Sequence, residues 1–222
     1  MSSIISNRLR LGAVALAGCG PLIAVATILR GPFSDPTADP TAFAHWVSSP
    51  TFAPASFVFM AGLLFQIFGV ITLYGYLIHT PAERWALWGM ILTVSTDALL
   101  LALVGTFAYA FPSIGRLYLQ GQKNVMEVVL AFGSSFIAVL LTQAILYSLA
   151  AIFMSVAIWR SGKLPKWSAL VYLLAGLILA FAPPLPYLPE LIGAILLAMS
   201  SVWIGWSIWR HRARGLNGDD SV

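Results

Sequence analysis

Charged residues are scarce in this sequence of 222 residues. Asp, Glu, Lys and Arg make up 9% of it, whereas hydrophobic residues make up 59% and the mean hydropathy is +0.89. Soluble domains average about 25% charged residues, so this composition excludes an ordinary soluble fold and indicates a membrane protein. The net charge of +4 does not indicate a nucleic-acid partner, because the basic residues lie at the ends of apolar segments rather than in one patch.

Cysteine is almost absent. Cys19 is the single one, which excludes an intrachain disulfide and any CxxC redox or zinc motif. Residues 16–19, LAGC, match the lipidation motif of bacterial lipoproteins and follow the basic residues Arg8 and Arg10. The apolar run nevertheless continues past the cysteine to Leu29, where a lipoprotein would have a polar tether. We therefore favour a small residue in a helix contact and keep lipidation as the alternative.

Catalytic and cofactor motifs are missing as well. HExxH, GxSxG, Walker A and dinucleotide-binding glycine patterns do not occur, and no two acids share an apolar segment. A membrane haem would need a second histidine beside His79 at membrane depth, and no apolar segment has one. Asp35, Asp39 and His45 are a nominal metal set, but capping explains both acids. We predict no metal site and assign no cofactor.

Long apolar runs are what the sequence does contain. They predict an all-α bundle of six transmembrane helices in a single domain over 1–222, at residues 9–29, 55–78, 86–111, 125–159, 167–182 and 190–209. Pro112 is expected to end the third helix. The fourth would be about 52 Å long against a bilayer core of roughly 30 Å, so it must tilt, break near residues 133–135 or project from the membrane, which we favour. Residues 210–222 are predicted to be a disordered cytoplasmic tail.

The basic residues give the predicted orientation. The ends and loops at 1–10, 79–85, 160–166 and 210–222 hold nine of the twelve Lys and Arg residues, and the alternate set of loops holds the other three. By the positive-inside rule, both termini are cytoplasmic (N-in/C-in). The layout is typical of small multi-pass proteins of the bacterial inner membrane, which is the predicted location.

Two local patterns predict where helices contact each other or the membrane interface. Small residues recur in the first segment, among them Gly12 and Gly20, and in the last, among them Gly205, which predicts close helix contacts. In the longest polar stretch, Asp39 followed by proline predicts an N-cap and a short helix over 40–48. That helix would place its aromatic and aliphatic residues (Phe43, Trp46 and Val47) at the membrane interface.

One charged side chain, Asp97, lies deep in an apolar segment. A carboxylate there costs roughly 2.5–3.5 kcal/mol, so it needs a structural or functional reason. Counted at about 1.5 Å per residue from the cytoplasmic end, Asp97 is about 17 Å deep and Gln66 about 18 Å. Tyr147 and Ser148 are also about 17 Å deep, and Gln143 lies one turn further out. We predict that these residues form a polar cluster near the midplane, in which Gln66 and Tyr147 satisfy Asp97.

Three functions fit this cluster. The first is a non-catalytic membrane protein, an accessory or assembly subunit or a binder of a hydrophobic small molecule, in which Asp97 only fixes helix contacts. The second is a proton-coupled transporter or uptake component that uses Asp97, because an intramembrane acid is a site hypothesis by default. The third is an intramembrane enzyme acting on lipids or quinones. The expected partners are the lipid bilayer and either a protein or a hydrophobic ligand.

Overall fold

The computed structural model describes residues 2–131, 133–181 and 187–216, with side chains for residues 7, 9–131, 138–181 and 187–210. Within these ranges the chain forms helices and no strand, so the predicted all-α class is confirmed. The helices are α1 (Ser2–Arg30), α2 (Pro40–Val47), α3 (Phe52–Leu77), α4 (Glu83–Leu119), α5 (Val125–Ala131), α6 (Gly133–Ser161), α7 (Lys166–Ala180) and α8 (Tyr187–Leu216).

Five of these helices are long and apolar enough to cross a membrane. The spans are Leu9–Arg30, Phe52–Leu77, Glu83–Leu119, Ala138–Ser161 and Tyr187–Arg210. Helix α7 is apolar but has 15 residues, a length of about 22 Å against a bilayer core of roughly 30 Å. Five of the six predicted crossings are therefore supported by length and composition, and α7 falls short of that criterion.

Six of the helices form a closed ring. Each of α1, α3, α4, α6, α7 and α8 contacts the next in chain order, and α8 returns to contact α1. Neighbours run antiparallel: along α1 and α3, Gly12 faces Thr72 whereas Ile23 faces Gly62. The short helices α2 and α5 both contact α4. The ring therefore directs one face of each of its six helices toward a common interior.

Helix α1 is held by very close contacts on both sides, as its small residues predict. A Cβ atom built on Gly69 of α3 would lie 2.7 Å from the Cα of Leu16. One built on Gly205 of α8 would lie 2.6 Å from the carbonyl oxygen of Ala13, and one on Gly20 would lie 2.6 Å from the α8 backbone. No side chain fits at these distances, so glycine sets the separation between α1 and its two neighbours.

Cys19 lies on the interior side of this closely packed helix. It is 1% exposed, and its thiol donates a hydrogen bond to the carbonyl oxygen of Leu16 at 3.1 Å. Helix α1 continues without interruption on both sides of it, from Ser2 to Arg30. This geometry supports the interpretation of Cys19 as a small residue in a helix contact.

The predicted short helix is present as α2. Asp39 is its N-cap and accepts hydrogen bonds from the backbone N–H groups of Thr41 and Ala42 at 3.0 and 2.9 Å. In the preceding turn, Asp35 accepts from the N–H and the hydroxyl of Thr37 at 2.8 and 2.7 Å. These two bonds hold the pKa of Asp35 below its usual value. Capping and turn formation therefore occupy both acids of the nominal metal set.

The apolar residues of α2 pack against the rest of the protein. The sequence predicts that they lie at the membrane interface. Phe43 and Val47 are buried, and the ring of Phe43 lies 5.6 Å from that of Phe111. Trp46 packs edge-on against Phe52 with the ring centroids 5.0 Å apart. This packing is possible because α4 extends beyond its predicted end and gives α2 a surface to pack against.

Pro112 does not end α4, which continues to Leu119. A proline inside a helix costs about 3 kcal/mol, because it removes one backbone hydrogen bond and crowds the preceding turn. The extension is supported by α2: a Cβ on Gly115 would lie 2.7 Å from the carbonyl oxygen of Ala44, so the two helices are in backbone contact. Tertiary contact overrides the local signal here.

The later helices also differ from their predicted bounds. The predicted helix 125–159 appears as α5 and α6, and residue 132 between them lies outside the described residues. Helix α8 begins at Tyr187 with Pro189 in its first turn, where proline is tolerated. Disorder was predicted from residue 210, but the helix continues to Leu216. Arg, Ala and Leu in this stretch favour helix, and Arg210 stacks on Trp206 at 4.9 Å. Residues 182–186 of the predicted proline bend, and 217–222, are outside the described residues.

Candidate functional site: a central polar cluster

Asp97 faces the interior of the ring. It belongs to a buried stripe on α4 that includes Gly89 and Thr93 at intervals of four residues, which place side chains on one face of a helix. Its side chain is 0% exposed. Neither carboxyl oxygen has a hydrogen-bond partner in the described part of the chain.

A buried carboxyl group without partners is unusual, because buried polar groups in folded proteins are nearly always hydrogen-bonded. The neighbouring hydroxyls on α4 do not supply donors. Thr93 donates to the carbonyl oxygen of Gly89 at 2.7 Å, and Thr96 donates to that of Leu92 at 2.6 Å. Their hydrogen atoms are used within α4 itself, so the helix that carries Asp97 gives it no compensation.

Gln66 and Tyr147, which were predicted to satisfy Asp97, contact each other. The side-chain amide of Gln66 donates to the Tyr147 hydroxyl at 3.5 Å, a long bond, and its amide oxygen is buried without a partner. Tyr147 lies within electrostatic range of Asp97. The three residues are therefore close together, but the hydrogen bonds predicted to Asp97 are not made.

The other two predicted members contribute less. Gln143 is buried and lies one helical turn from Tyr147 on α6. Ser148 is partly exposed, and its hydroxyl donates to the carbonyl oxygen of Ala144 at 2.8 Å. Ser148 thus belongs to the bonding of its own helix and not to the site.

Three residues outside the predicted set complete the site. Cys19 and Tyr172 are buried within electrostatic range of Asp97, and Tyr172 also lies beside the amide of Gln66. The Ser201 hydroxyl lies beside the Cys19 thiol. Together with the predicted residues, these define the central polar cluster, to which each helix of the ring contributes one side chain: Cys19, Gln66, Asp97, Tyr147, Tyr172 and Ser201.

The sequence contained a signal for only some of these residues. Cys19 lies ten residues after the start of its apolar segment, about 15 Å deep, so the depth count could have included it. By the same count, Ser201 is roughly 15 Å deep. Tyr172 lies only five residues after Trp167, about 8 Å deep, and its position became clear only from the ring arrangement.

A narrow cleft lies between the cluster and the end of the ring opposite most of the basic residues. Its lining is formed by Ala26, Arg30, Ala55, Ser56, Phe59 and Val104. Three of these, Ala26, Phe59 and Val104, lie on α1, α3 and α4, and each is seven residues from the cluster member of its own helix. Each therefore lies on the same face as that member, two turns or about 10 Å closer to this end of the ring. At the mouth of the cleft, Arg30 forms an ion pair with Glu190.

No protein-family model, curated protein or solved structure matches this chain. The central polar cluster and the cleft next to it are therefore the basis for a functional proposal. Among the described residues, no group of three or more His, Cys, Asp and Glu side chains is arranged to hold a metal ion.

Proposed function

We propose that this is a proton-coupled membrane carrier in which Asp97 is the proton-binding group. The observation that supports the proposal is the Asp97 carboxyl group, at the point where six helices each contribute a polar side chain. It is fully buried and has no hydrogen-bond partner among the described side chains. An acid that served only to fix helix contacts would be expected to make hydrogen bonds, because that is how such contacts gain their roughly 0.6–2 kcal/mol.

The carrier would have six crossings with both termini cytoplasmic. Helix α7 fits as the sixth crossing because it contacts α6 on one side and α8 on the other, which keeps the antiparallel alternation of the ring. The basic residues gather at one end and lie over aromatic rings there: Arg10 over Trp209 at 5.6 Å and Lys163 over Tyr76 at 5.6 Å. Such pairs are typical of the cytoplasmic membrane interface.

The chemistry follows from desolvation. An ionised, unpaired carboxylate in a water-free interior is very costly, so in this closed conformation Asp97 holds its proton and is neutral. A conformation that opens the ring to water on one side would hydrate the carboxyl group and let the proton leave. A solute that binds the ionised form in place of the proton would then close the ring again, and this exchange couples its movement to that of the proton.

Infrared spectroscopy of the purified protein in lipid tests the protonation. At neutral pH we expect a neutral carboxylic-acid band that disappears in Asp97→Asn. The matched control is Asp35→Asn, which should leave the band unchanged because the hydrogen bonds from Thr37 keep Asp35 ionised. A band that persists in Asp97→Asn, or one that is absent from the native protein, would contradict the proposal.

Transport is tested in proteoliposomes that contain a pH-sensitive dye. Addition of solutes from a panel should find some that change the internal pH in the native protein and not in Asp97→Asn. Both proteins must be inserted in equal amounts, which gel filtration and lipid flotation verify. A solute that moves protons equally well in the Asn variant would exclude Asp97 as the coupling group.

A non-catalytic accessory subunit or binder of a hydrophobic molecule is the second candidate. It is favoured by the close contacts of α1 with α3 and α8, which suit a rigid scaffold. Purification in mild detergent distinguishes it, because an accessory subunit should retain a stoichiometric protein or lipid. An intramembrane enzyme has less support, since the cluster holds one acid and no second acid or histidine to act as its partner.

A further inference from the structure

We infer that the central polar cluster binds a small protonated primary amine in exchange for the proton on Asp97. This inference rests on the proposed function and adds the chemical class of its substrate. It comes from the kind of hydrogen bonding that the cluster leaves unfulfilled, from the charge of the ring interior and from its aromatic residues.

The unpartnered side-chain atoms of the cluster are all acceptors once Asp97 has lost its proton. They are both carboxyl oxygens of Asp97 and the amide oxygen of Gln66. The other unpartnered buried atoms in the described residues, the hydroxyl oxygens of Ser48 and Ser155, lie outside the cluster. Three acceptors without partners favour a ligand that supplies donors, and a primary ammonium group has three N–H bonds.

The charge of the ring interior favours a ligand with a single positive charge. Between the ends of the ring helices, Asp97 is the one formally charged side chain, and no Lys, Arg or His accompanies it. An anion would therefore meet only repulsion. A divalent cation would leave a net charge in a water-free interior, and Ca²⁺ and Mg²⁺ also prefer at least six oxygen ligands. A monovalent cation neutralises the carboxylate completely.

The aromatic residues favour an organic cation over an alkali metal ion. Tyr147 and Tyr172 are both buried near Asp97, and an aromatic ring close to a cation adds attraction when water is excluded. Fully buried Leu63 and Met154 belong to the same core, so the alkyl part of an amine would meet apolar surface.

The cleft supplies a route that is compatible with a cation. It lies on the same faces of α1, α3 and α4 as the cluster, about 10 Å further outward. Arg30 at its mouth would repel a cation, but Glu190 neutralises it through their ion pair. Ile23 and Leu63 are buried between the two levels and close the route in this conformation.

The exchange balances in charge and protons. Asp97 gives up one proton to water and becomes a carboxylate, and the carboxylate then binds one ammonium group through N–H···O hydrogen bonds. No covalent bond to carbon is made or broken. Because one carboxylate is neutralised by either the proton or the amine, the two species compete for it.

Binding is tested with methylammonium chloride and the purified native protein in a weakly buffered solution with a pH dye. We expect saturable binding with release of one proton per amine bound. Tetramethylammonium is the matched ligand control, since it has the same charge but no N–H donors, and it should bind at least roughly tenfold more weakly, the effect of losing hydrogen bonds to a charged group. Sodium and potassium chloride test an alkali-metal site.

Variants of the protein complete the experiment. Asp97→Asn should lose binding and proton release, and Ser148→Ala should keep both because its hydroxyl bonds to its own helix. If Asp97→Asn does not fold, Gln66→Leu, which removes one acceptor, should weaken binding by roughly tenfold.

The inference is overturned if methylammonium does not bind, if tetramethylammonium or sodium binds equally well, or if binding survives in Asp97→Asn. If the infrared band and the proton coupling of another solute depend on Asp97 in such a case, the carrier proposal stands and only the substrate class is wrong.

Discussion

Replacement of Asp97 by valine should stabilise the protein, which is the opposite of the usual result for a change in a protein core. The carboxyl group is buried and has no partner in the part of the chain that the structure describes, so its removal breaks no hydrogen bond there. On insertion scales Asp costs roughly 2.5–3.5 kcal/mol at a helix centre and Val gains about 0.3–0.6 kcal/mol, a difference of about 3–4 kcal/mol. The slightly larger valine would cost about 1 kcal/mol in a well-packed site. The net expected gain is about 2–3 kcal/mol.

Heat unfolding in detergent measures this gain, because in detergent the unfolded chain can bring Asp97 to water. The eight tryptophans provide an intrinsic fluorescence signal. For chains of this length, 1 kcal/mol shifts the melting temperature by about 2–4 °C, so Asp97→Val should melt roughly 4–12 °C higher than the native protein. Thr93→Val is the matched control on the same face of α4. Its hydroxyl is hydrogen-bonded to Gly89, so this change should lower stability by about 1 kcal/mol.

The reasoning is refuted if Asp97→Val is much less stable than the native protein. A loss of about 3–5 kcal/mol is typical when one partner of a buried, bonded pair is removed. Such a loss would mean that the carboxyl group makes strong bonds and has a structural role. A stabilised variant that has lost proton coupling would instead show that Asp97 is kept at a cost in stability.

Two further predictions concern α3 and the turn before α2. Gly69→Ala should destabilise the protein by about 1–3 kcal/mol, because its Cβ would meet the Leu16 backbone. Gly75→Ala, on the open side of the same helix, should stabilise the protein by up to about 1 kcal/mol. Thermal melts compare the two variants, and equal effects would contradict the close contact. Thr37→Val should raise the pKa of Asp35 toward its usual value, measured by NMR titration. In the native protein, the ionised Asp35 contributes its full stabilisation of the turn above the ordinary pKa of an aspartate. This stabilisation is lost as the pH falls through the lowered pKa of Asp35. An unchanged pKa of Asp35 in the variant would contradict this prediction.

Composition and periodicity were enough to predict the all-α class and most of the helices. The N-cap at Asp39 and the glycine contacts of α1 were also predictable, because each depends on a local pattern with a single physical cause. Pro112 misled the prediction, since the contact between Gly115 and α2 that supports the helix beyond it involves residues far apart in the sequence.

The site was predictable in depth but not in detail. A count along each helix predicts Asp97, Gln66 and Tyr147 at one level, and the structure brings the Gln66 amide to the Tyr147 hydroxyl. It could not show which way the Gln66 amide bonds, nor that α7 turns Tyr172 toward the same point. Those facts depend on the order of helices around the ring, which no local pattern of a single sequence specifies.

The closure of the ring by α1 and α8 has a consequence for biosynthesis. Arg30 and Glu190, which join these helices, are 160 residues apart in the chain. At about 5–20 residues per second, α1 would wait roughly 8–32 s after its own synthesis before its final neighbour emerges from the ribosome. During that interval its glycine-lined side faces lipid or a chaperone. A nascent chain that stops before α8 would thus display an unmatched flank to the quality-control proteases of the membrane.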